Sequence, residues 1–316
     1  MKFSRRNFLK VTFAAAGTYF LSKSEKIFPT LFAKDSPMPK RVLGKTGYQV
    51  GIFSLGGQAT LEKAGTEKES IKIINRALDL GVNYIDTAAA YGQGISETYI
   101  GKVMKERRNE VFLATKTHNR SYDGSMKLLE KSLKQLQTDR IDLWQLHNVR
   151  TVDDLKKIFA SDGAIKALEE ARRSGVVRFL GITGHYDPWV LKKAIDEYNF
   201  DCILMALNAA DRHNKSFIDN LLPFAVQKNL GIIGMKIPAR GRIFREGGIT
   251  SMKQAMEYVL TLPVSTIIVG ISTLNELEEN VRIAKNFKPL SENEMRRLEE
   301  LTKTYFDDAA WFKNKW

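Results

Sequence analysis

Residues 111–148 read VFLATKTHNRSYDGSMKLLEKSLKQLQTDRIDLWQLHN, and this stretch decides the fold class. Two short apolar runs, Val111–Ala114 and Ile141–Trp144, flank a polar segment that is long enough for a helix. An apolar run of this length predicts a buried strand. The stretch is therefore typical of one strand–helix–strand unit of a parallel sheet.

The same alternation continues along the chain from Val50 onward. Ile71, Ile74 and Leu78, for example, recur at helical spacing. Eight strand–helix units without a Pro-, Gly- or Ser-rich linker predict a single (β/α)8 TIM barrel rather than a two-domain doubly wound fold. The eight strand candidates are Ile52–Ser54, Tyr84–Asp86, Val111–Ala114, Ile141–Trp144, Val177–Leu180, Cys202–Leu204, Ile232–Gly234 and Thr266–Val269.

Two further segments lie outside these eight units. Residues 41–49 predict a hairpin that closes the bottom of the barrel, and residues 291–316 predict a helix followed by a tail. The aromatic residues of the tail Tyr305–Trp316 suggest an apolar wall for a substrate pocket.

The composition is that of a globular protein with a basic excess. The 316 residues include 49 Lys and Arg against 36 Asp and Glu, a net charge of +13, and 43% of them are hydrophobic. These values exclude a disordered or collagen-like chain. Cys202 is the only cysteine, so one chain cannot form an internal disulfide or a cysteine-ligated zinc or iron–sulfur site. No run of adjacent Lys and Arg with interleaved aromatics indicates a nucleic-acid partner.

The amino-terminal segment predicts export. Ser4-Arg5-Arg6-Asn7-Phe8-Leu9-Lys10 resembles the twin-arginine signal consensus, and the uncharged stretch Val11–Ser22 is too short to span a bilayer stably. We therefore predict a signal segment over residues 1–33, a barrel domain over residues 34–316, and a periplasmic or exported location. The export machinery would be a partner, and the membrane would be contacted only through this segment. Cleavage near Ala33, retention as an uncleaved anchor, and a basic amphipathic helix at a surface are the alternatives.

Polar residues at the predicted strand ends form the candidate active site, because the chemistry of such barrels takes place where strands end and loops begin. They are Asp86, Tyr91, Lys116, His147 and Thr183. A Lys ammonium beside a Tyr hydroxyl favours the phenolate and is expected to lower the pKa of the tyrosine, while Asp holds the Lys in place. His147 would orient or polarise a carbonyl group. The set predicts proton transfer.

Separate motifs surround these candidate residues in a fixed order. They are Gly81–Ala88 followed by Tyr91-Gly92 and Ser96-Glu97, then Ala114–Lys116, and Asp142–Asn148. With these motifs the chain resembles the aldo/keto reductase superfamily over residues 40–290. The resemblance implies that Asp86, Tyr91, Lys116 and His147 match the family's catalytic tetrad, with Tyr91 as general acid. It also implies reduction of a small-molecule aldehyde or ketone by hydride from a nicotinamide cofactor, without a Rossmann fold.

The resemblance also implies a set of cofactor-binding positions. At the nicotinamide end Thr183 stands where the family has Ser, Met205 where it has Gln, and Met235 where a stacking aromatic is common. The phosphates could bind backbone N–H groups at the helix N-terminus after Ser272. The full set is Thr183, Met205, Met235, Lys236, Gly241, Gly270, Ser272, Glu279 and Asn280.

The resemblance implies NADP as the cofactor, with NAD as the alternative. Ser272, Thr273 and Glu276 replace the Arg or Lys residues that NADP-preferring members place there, although Arg240 or Arg242 could supply charge from a neighbouring loop.

Two other functions fit the sequence less well. A metal-dependent hydrolase barrel would use His118, His147 and His185, but the residues after the first strand candidate are Gly56-Gly57-Gln58 rather than a His-x-His pair, so no metal site is expected. A non-catalytic nucleotide-binding protein with the reductase fold would explain the altered cofactor positions, whereas the intact tetrad argues against it.

Overall fold

The structure is a computed structural model that describes residues 36–315. Eight parallel strands form a closed ring, which confirms the predicted (β/α)8 barrel. Two strands precede the ring, β1 Lys40–Val42 and β2 Gln49–Gly51. The ring consists of β3 Phe53–Ala59, β4 Tyr84–Asp86, β5 Phe112–Thr117, β6 Ile141–Leu146, β7 Val177–Gly184, β8 Cys202–Ala206, β9 Gly231–Met235 and β10 Thr266–Ile271.

Helices surround this ring and follow most of its strands. They are α1 Glu67–Asp79, α2 Ile95–Arg107, α3 Tyr122–Leu136, α4 Val152–Ile158, α5 Ala164–Arg173, α6 Pro188–Glu197, α7 Phe217–Asn220, α8 Leu222–Gln227, α9 Met252–Thr261, α10 Leu274–Lys285, α11 Glu292–Thr302, α12 Phe306–Ala309 and α13 Phe312–Lys315. Within the described residues, no helix is both long and apolar enough to cross a lipid bilayer.

The ring is closed where β10 pairs with β3. Ile267 lies opposite Phe53 in this parallel pair. Beside them the hydroxyls of Ser54 and Thr266 form a buried hydrogen bond of 2.8 Å. This seam joins the first and last strands of the barrel.

The antiparallel pair β1 and β2 confirms the predicted hairpin. Leu43 and Val50 from this hairpin pack in one apolar cluster with Tyr84 and Phe112, at the amino-terminal ends of β4 and β5. The hairpin thus fills the bottom of the barrel and leaves the opposite end for a site.

The period of two along each strand decides which side chains enter the barrel. In β6, Leu143 and Gln145 face the interior, whereas Trp144 and Leu146 pack in the layer between strands and helices. The next inward position after Gln145 is His147, just beyond the end of the strand. The alternation therefore places His147 at the carboxyl-terminal mouth of the barrel.

The carboxyl-terminal tail is held on this mouth by a buried ion pair. Lys313 Nζ bonds Asp211 Oδ1 at 2.5 Å and the carbonyl oxygen of Asn214 at 2.6 Å, and the Lys313 side chain is fully buried. Asp211 lies in the loop after β8, so the tail is fastened to that loop. The predicted signal segment, residues 1–33, lies outside the described residues.

Candidate active site

Three inward-facing polar side chains meet at the carboxyl ends of β4, β5 and β6. Lys116 Nζ bonds the Asp86 carboxylate, and both side chains are 1% exposed. Gln145 Nε2 donates to Asp86 Oδ2 at 3.0 Å. Lys116 also donates to the carbonyl oxygen of Thr87 at 2.6 Å. The ammonium is therefore fixed in a buried position by a carboxylate that is itself fixed.

Tyr91 reaches the ion pair from the loop after β4. It begins a short 3-10 turn, Tyr91–Gly94, in which Gly92 has a φ of +54°. A Cβ on Gly92 would lie 2.2 Å from the carbonyl oxygen of Glu62, so glycine is required for this close approach. Lys116 Nζ lies 3.4 Å from the Tyr91 hydroxyl and donates to it. Because an ammonium cannot accept a hydrogen bond, the tyrosine O–H is left to donate elsewhere.

His147 completes the group from the loop after β6. Its backbone N–H donates to the carbonyl oxygen of Thr117 at 2.8 Å. Its ring meets the Tyr91 ring edge-on, with 5.7 Å between the centroids. The structure thus brings together the four residues that the sequence predicts to be catalytic.

The electrostatics of the group determine the protonation states of Lys116 and His147. Burial alone would lower the pKa of Lys116, but the Asp86 carboxylate and the Tyr91 hydroxyl raise it above its ordinary value. Burial, aided by the Lys116 charge, lowers the pKa of His147 well below its ordinary value. At neutral pH the site therefore contains an ammonium and a neutral imidazole.

The expected lowering of the tyrosine pKa is not what the structure shows. Burial raises the pKa of Tyr91, Lys116 opposes this rise, and the net direction is upward. The sequence interpretation considered the lysine charge and not the depth of the hydroxyl. Tyr91 is consequently protonated at neutral pH, as a proton donor must be.

Two cavities meet at Tyr91. One has a volume of about 460 Å³ and is bordered by His147. The other, of about 600 Å³, runs from Asp86 toward α10. Tyr91 and Lys236 line both cavities. Seven of the nine predicted cofactor positions line the larger cavity, namely Met235, Lys236, Gly241, Gly270, Ser272, Glu279 and Asn280.

The other two predicted cofactor positions lie elsewhere. Thr183 is buried, and its Oγ1 accepts a hydrogen bond of 2.8 Å from the backbone N–H of Asn148. It therefore supports the loop that carries His147. Met205 packs in the outer apolar layer, whereas its neighbour Leu204 faces the barrel interior. A shift of one residue along a strand reverses the face, so the assignment of Met205 to the cofactor site has no support in the structure.

The N-terminus of α10 also differs from expectation. Thr273 is the N-cap, with its hydroxyl accepting from the backbone N–H of Glu276. Glu276 Oε2 in turn accepts from the backbone N–H of Ser272 at 2.7 Å. The N–H groups predicted to bind phosphate follow Ser272, and among them that of Glu276 is already bonded to the Thr273 hydroxyl. The Ser272 N–H just before them is bonded to the Glu276 carboxylate.

The smaller cavity has a polar wall, contrary to the apolar wall predicted from the aromatic tail. Among the described residues that line it, Ala90 is the only aliphatic one. The tail residue Phe312 packs near His185, with 6.4 Å between the ring centroids, but does not itself line this cavity.

Sequence reasoning missed Gln145, Arg120 and Arg150. The inward phase of β6 could have revealed Gln145, because it lies two residues before His147. The two arginines follow strand ends, but nothing in the sequence places their side chains in the cavity.

His118, His147 and His185 all line the smaller cavity. Even so, no three His, Cys, Asp or Glu side chains within residues 36–315 form a group that could hold a metal ion.

The model of the aldo/keto reductase family matches residues 49–247 of this chain. The chain belongs to the aldo/keto reductase family. Among curated relatives, the oxidoreductase YqkF of Bacillus subtilis is 30% identical over 84% of this chain and 97% of its own length. The L-galactose dehydrogenase of Arabidopsis thaliana is 27% identical over 79% of this chain and 89% of its own length.

Solved aldo/keto reductases share the fold. The holo form of an enzyme from Bacillus halodurans is 28% identical, with a TM-score of 0.72 over 84% of this chain and 96% of that one. An enzyme from Klebsiella pneumoniae in complex with NADPH also has a TM-score of 0.72 at 20% identity, over 84% of this chain and 95% of that one. This reductase fold and the assembled tetrad are the basis for the function proposed next.

Proposed function

We propose that this aldo/keto reductase catalyses the reversible reduction of an aldehyde or ketone to an alcohol with NADP(H). The observation that carries the proposal is the contact of 3.4 Å between Lys116 Nζ and the Tyr91 hydroxyl, at the point where the two cavities meet. Reduction of a carbonyl needs a hydride on carbon and a proton on oxygen. The tetrad supplies the proton.

Tyr91 donates that proton to the carbonyl oxygen. Its O–H is available because its oxygen accepts from Lys116. As negative charge develops on the tyrosine oxygen, the nearby ammonium stabilises it. Asp86 keeps Lys116 charged and in place, and His147, as a neutral imidazole, can donate a hydrogen bond to the same carbonyl oxygen.

The larger cavity fits a dinucleotide. Asn280 Nδ2 is buried there without a hydrogen-bond partner among the described residues, which leaves a donor for a ligand at the α10 end. Met235 offers an apolar thioether surface near Tyr91, and Arg240 brings positive charge to the wall of the cavity between its nicotinamide end and its α10 end. A bound nicotinamide cofactor would supply the hydride. NADPH is the ligand of the Klebsiella pneumoniae protein, and this supports the choice of NADP(H).

The experiment has two parts. Mass spectrometry of the natively purified protein should detect a bound nicotinamide dinucleotide. NADPH absorbance should fall when an aldehyde such as 4-formylbenzamide is added and stay constant without it. Failure to bind NADPH and NADH, together with no aldehyde-dependent oxidation of either, would contradict the proposal.

We also propose that the protein acts outside the cytoplasm after twin-arginine export. The support is the sequence Ser4–Lys10, which lies outside the described residues. Because that route carries folded proteins, the cofactor would be bound before transport. The export machinery is the partner that this proposal requires.

A further inference from the structure

The smaller cavity combines the reacting end of the site with several cationic groups. Tyr91 and His147 border it, together with the basic residues Arg120, Arg150 and Lys236 and the carboxylates of Glu62 and Asp154. Substrate pockets are usually lined mainly by apolar side chains with a few polar groups. The wall of this cavity instead consists mainly of polar and charged side chains. The ligand that fits it is polar.

Arg120 and Asp154 form an ion pair, in which their opposite charges neutralise each other. Arg120 Nε bonds Asp154 Oδ1 at 3.0 Å, and its Nη2 donates to the carbonyl oxygens of His147 and Asn148 at 2.9 and 3.0 Å. Asp154 also accepts from the backbone N–H of Arg150 at 3.0 Å. The pair fixes the loop after β6 and leaves little negative charge for other cations.

Arg150 is held in a different way. Its guanidinium lies over the ring of Tyr186, with 5.0 Å between Cζ and the ring centroid. No carboxylate of the described residues forms an ion pair with its side chain. Stacking uses the face of a guanidinium and leaves the N–H groups of its edge for a planar acceptor. Arg150 is thus positioned and charged, without an anionic partner from the chain.

His147 and His185, which also line the cavity, do not add positive charge to it. Burial lowers the pKa of His185 well below its ordinary value, and the Lys236 and Arg150 charges add to this effect. His147 is neutral for the reason given above. Burial also lowers the pKa of Lys236 well below its ordinary value, and the Arg240 charge adds to this effect. The positive charge on this side of the cavity is therefore that of the arginine groups.

We propose that the substrate carries a carboxylate in addition to its carbonyl group, and that Arg150 binds this carboxylate while the carbonyl oxygen faces Tyr91. A guanidinium edge matches a carboxylate in geometry and charge. A cavity of about 460 Å³ has room for a small carbonyl acid. The inference rests on the proposed function, since it identifies the substrate class of the same site.

The test compares two product-like ligands that differ only in charge. These are 4-(hydroxymethyl)benzoate and its neutral isostere 4-(hydroxymethyl)benzamide. Isothermal titration calorimetry with NADPH present, which cannot oxidise these alcohols, should show that the wild type binds the carboxylate at least tenfold more tightly than the amide. In Arg150→Met this ratio should fall to about one, and Arg150→Lys should keep part of it.

Lys157→Met is the matched control. It removes one positive charge from the exposed side of α4, close in sequence to Arg150, and it does not line the cavity. The ratio should remain that of the wild type in this variant. A wild type that binds both ligands equally, or an Arg150→Met variant that keeps the wild-type ratio, overturns the inference. The proposed function is tested separately by the oxidation of NADPH with 4-formylbenzamide. This aldehyde has no carboxylate, so the result does not depend on the ratio of the two ligand affinities.

Discussion

Gln145 Nε2 donates a hydrogen bond of 3.0 Å to Asp86 Oδ2, the oxygen next to the one that Lys116 bonds. The Tyr84 hydroxyl lies 3.4 Å from the same oxygen. The Asp86 carboxylate is therefore bonded by side chains of three adjacent strands, its own strand β4, β5 and β6. Since Asp86 fixes Lys116 and Lys116 contacts Tyr91, Gln145 is a positioning residue for the proposed proton donor.

Tyr91→Phe should reduce the rate of carbonyl reduction by at least roughly two orders of magnitude, the usual contribution of general acid catalysis. The ring packing is kept and only the O–H is removed, so NADPH binding should persist. Tyr99→Phe is a matched control, because its hydroxyl bonds the carbonyl oxygen of Lys63 away from the ion pair. Steady-state kinetics and NADPH fluorescence titration measure the two effects. Wild-type turnover in Tyr91→Phe would show that Tyr91 is not the acid.

Lys116→Met should lower the free energy of unfolding by about 3 to 5 kcal/mol, because it leaves the buried Asp86 carboxylate without its counterion. Adding Asp86→Leu should restore most of this loss, since an apolar pair replaces the ion pair. Activity should be lost in both variants. Urea denaturation of the single and double variants gives the free energies. A double variant less stable than Lys116→Met would contradict this account of the ion pair.

The lowered pKa of His147 predicts a loss of stability in acid. An unfolded His binds a proton below about pH 6.5, whereas the folded site resists it, so the unfolded state takes up more protons as the pH falls. The free energy of unfolding should therefore decrease as the pH is lowered from about 6.5. In His147→Gln this slope should be smaller, by up to about 1.4 kcal/mol per pH unit once the pH lies well below 6.5. Urea denaturation across this range measures both slopes, and equal slopes would argue against a neutral His147.

Glu276→Arg should increase the affinity for NADPH by about 1 to 3 kcal/mol, because it removes the carboxylate bonded to the Ser272 N–H and adds a partner for the 2′-phosphate. Glu278→Arg makes the same charge change on α10 at a position that pairs with Arg76 and does not line the cavity. Titrations with NADPH and NADH compare the three proteins. An unchanged NADPH dissociation constant in Glu276→Arg would place the adenosine end elsewhere.

Arg5→Lys combined with Arg6→Lys should keep the protein in the cytoplasm with its barrel folded, because the export receptor reads the paired guanidinium groups. Lys23→Arg with Lys26→Arg conserves charge outside the motif and should leave export intact. Cell fractionation with immunoblotting measures the distribution. Undiminished periplasmic protein in the Arg5 and Arg6 variant would remove the twin-arginine proposal.

The predicted strand ends located three of the four candidate catalytic residues. Asp86, Lys116 and His147 each stand at the inward phase of a strand end, and the parallel arrangement brings strand ends to one mouth. Met205 lies next to the inward-facing Leu204, and a period of two therefore places its side chain in the outer apolar layer. The resemblance assigned Met205 to the cofactor site without regard to the face of β8 that it occupies.

Other features depend on burial and on contacts that no linear pattern contains. The upward direction of the Tyr91 pKa follows from the depth of its hydroxyl, which only the packed loop determines. Likewise, Arg150 belongs to the cavity because its guanidinium stacks on Tyr186, a residue 36 positions later in the chain. Sequence reasoning finds the strand ends but not the partners that loops bring together.

The seam between β3 and β10 has a kinetic consequence. It joins Ser54 to Thr266 across 212 positions, and contacts between such distant residues form slowly because a large loop must close first. During synthesis β3 is made early, yet its edge stays unpaired until β10 is available. A folding intermediate with seven strands in place would expose two open edges, and unpaired strand edges are the surfaces through which chains aggregate. Closure of the ring therefore removes two strand edges through which the chain could misassemble.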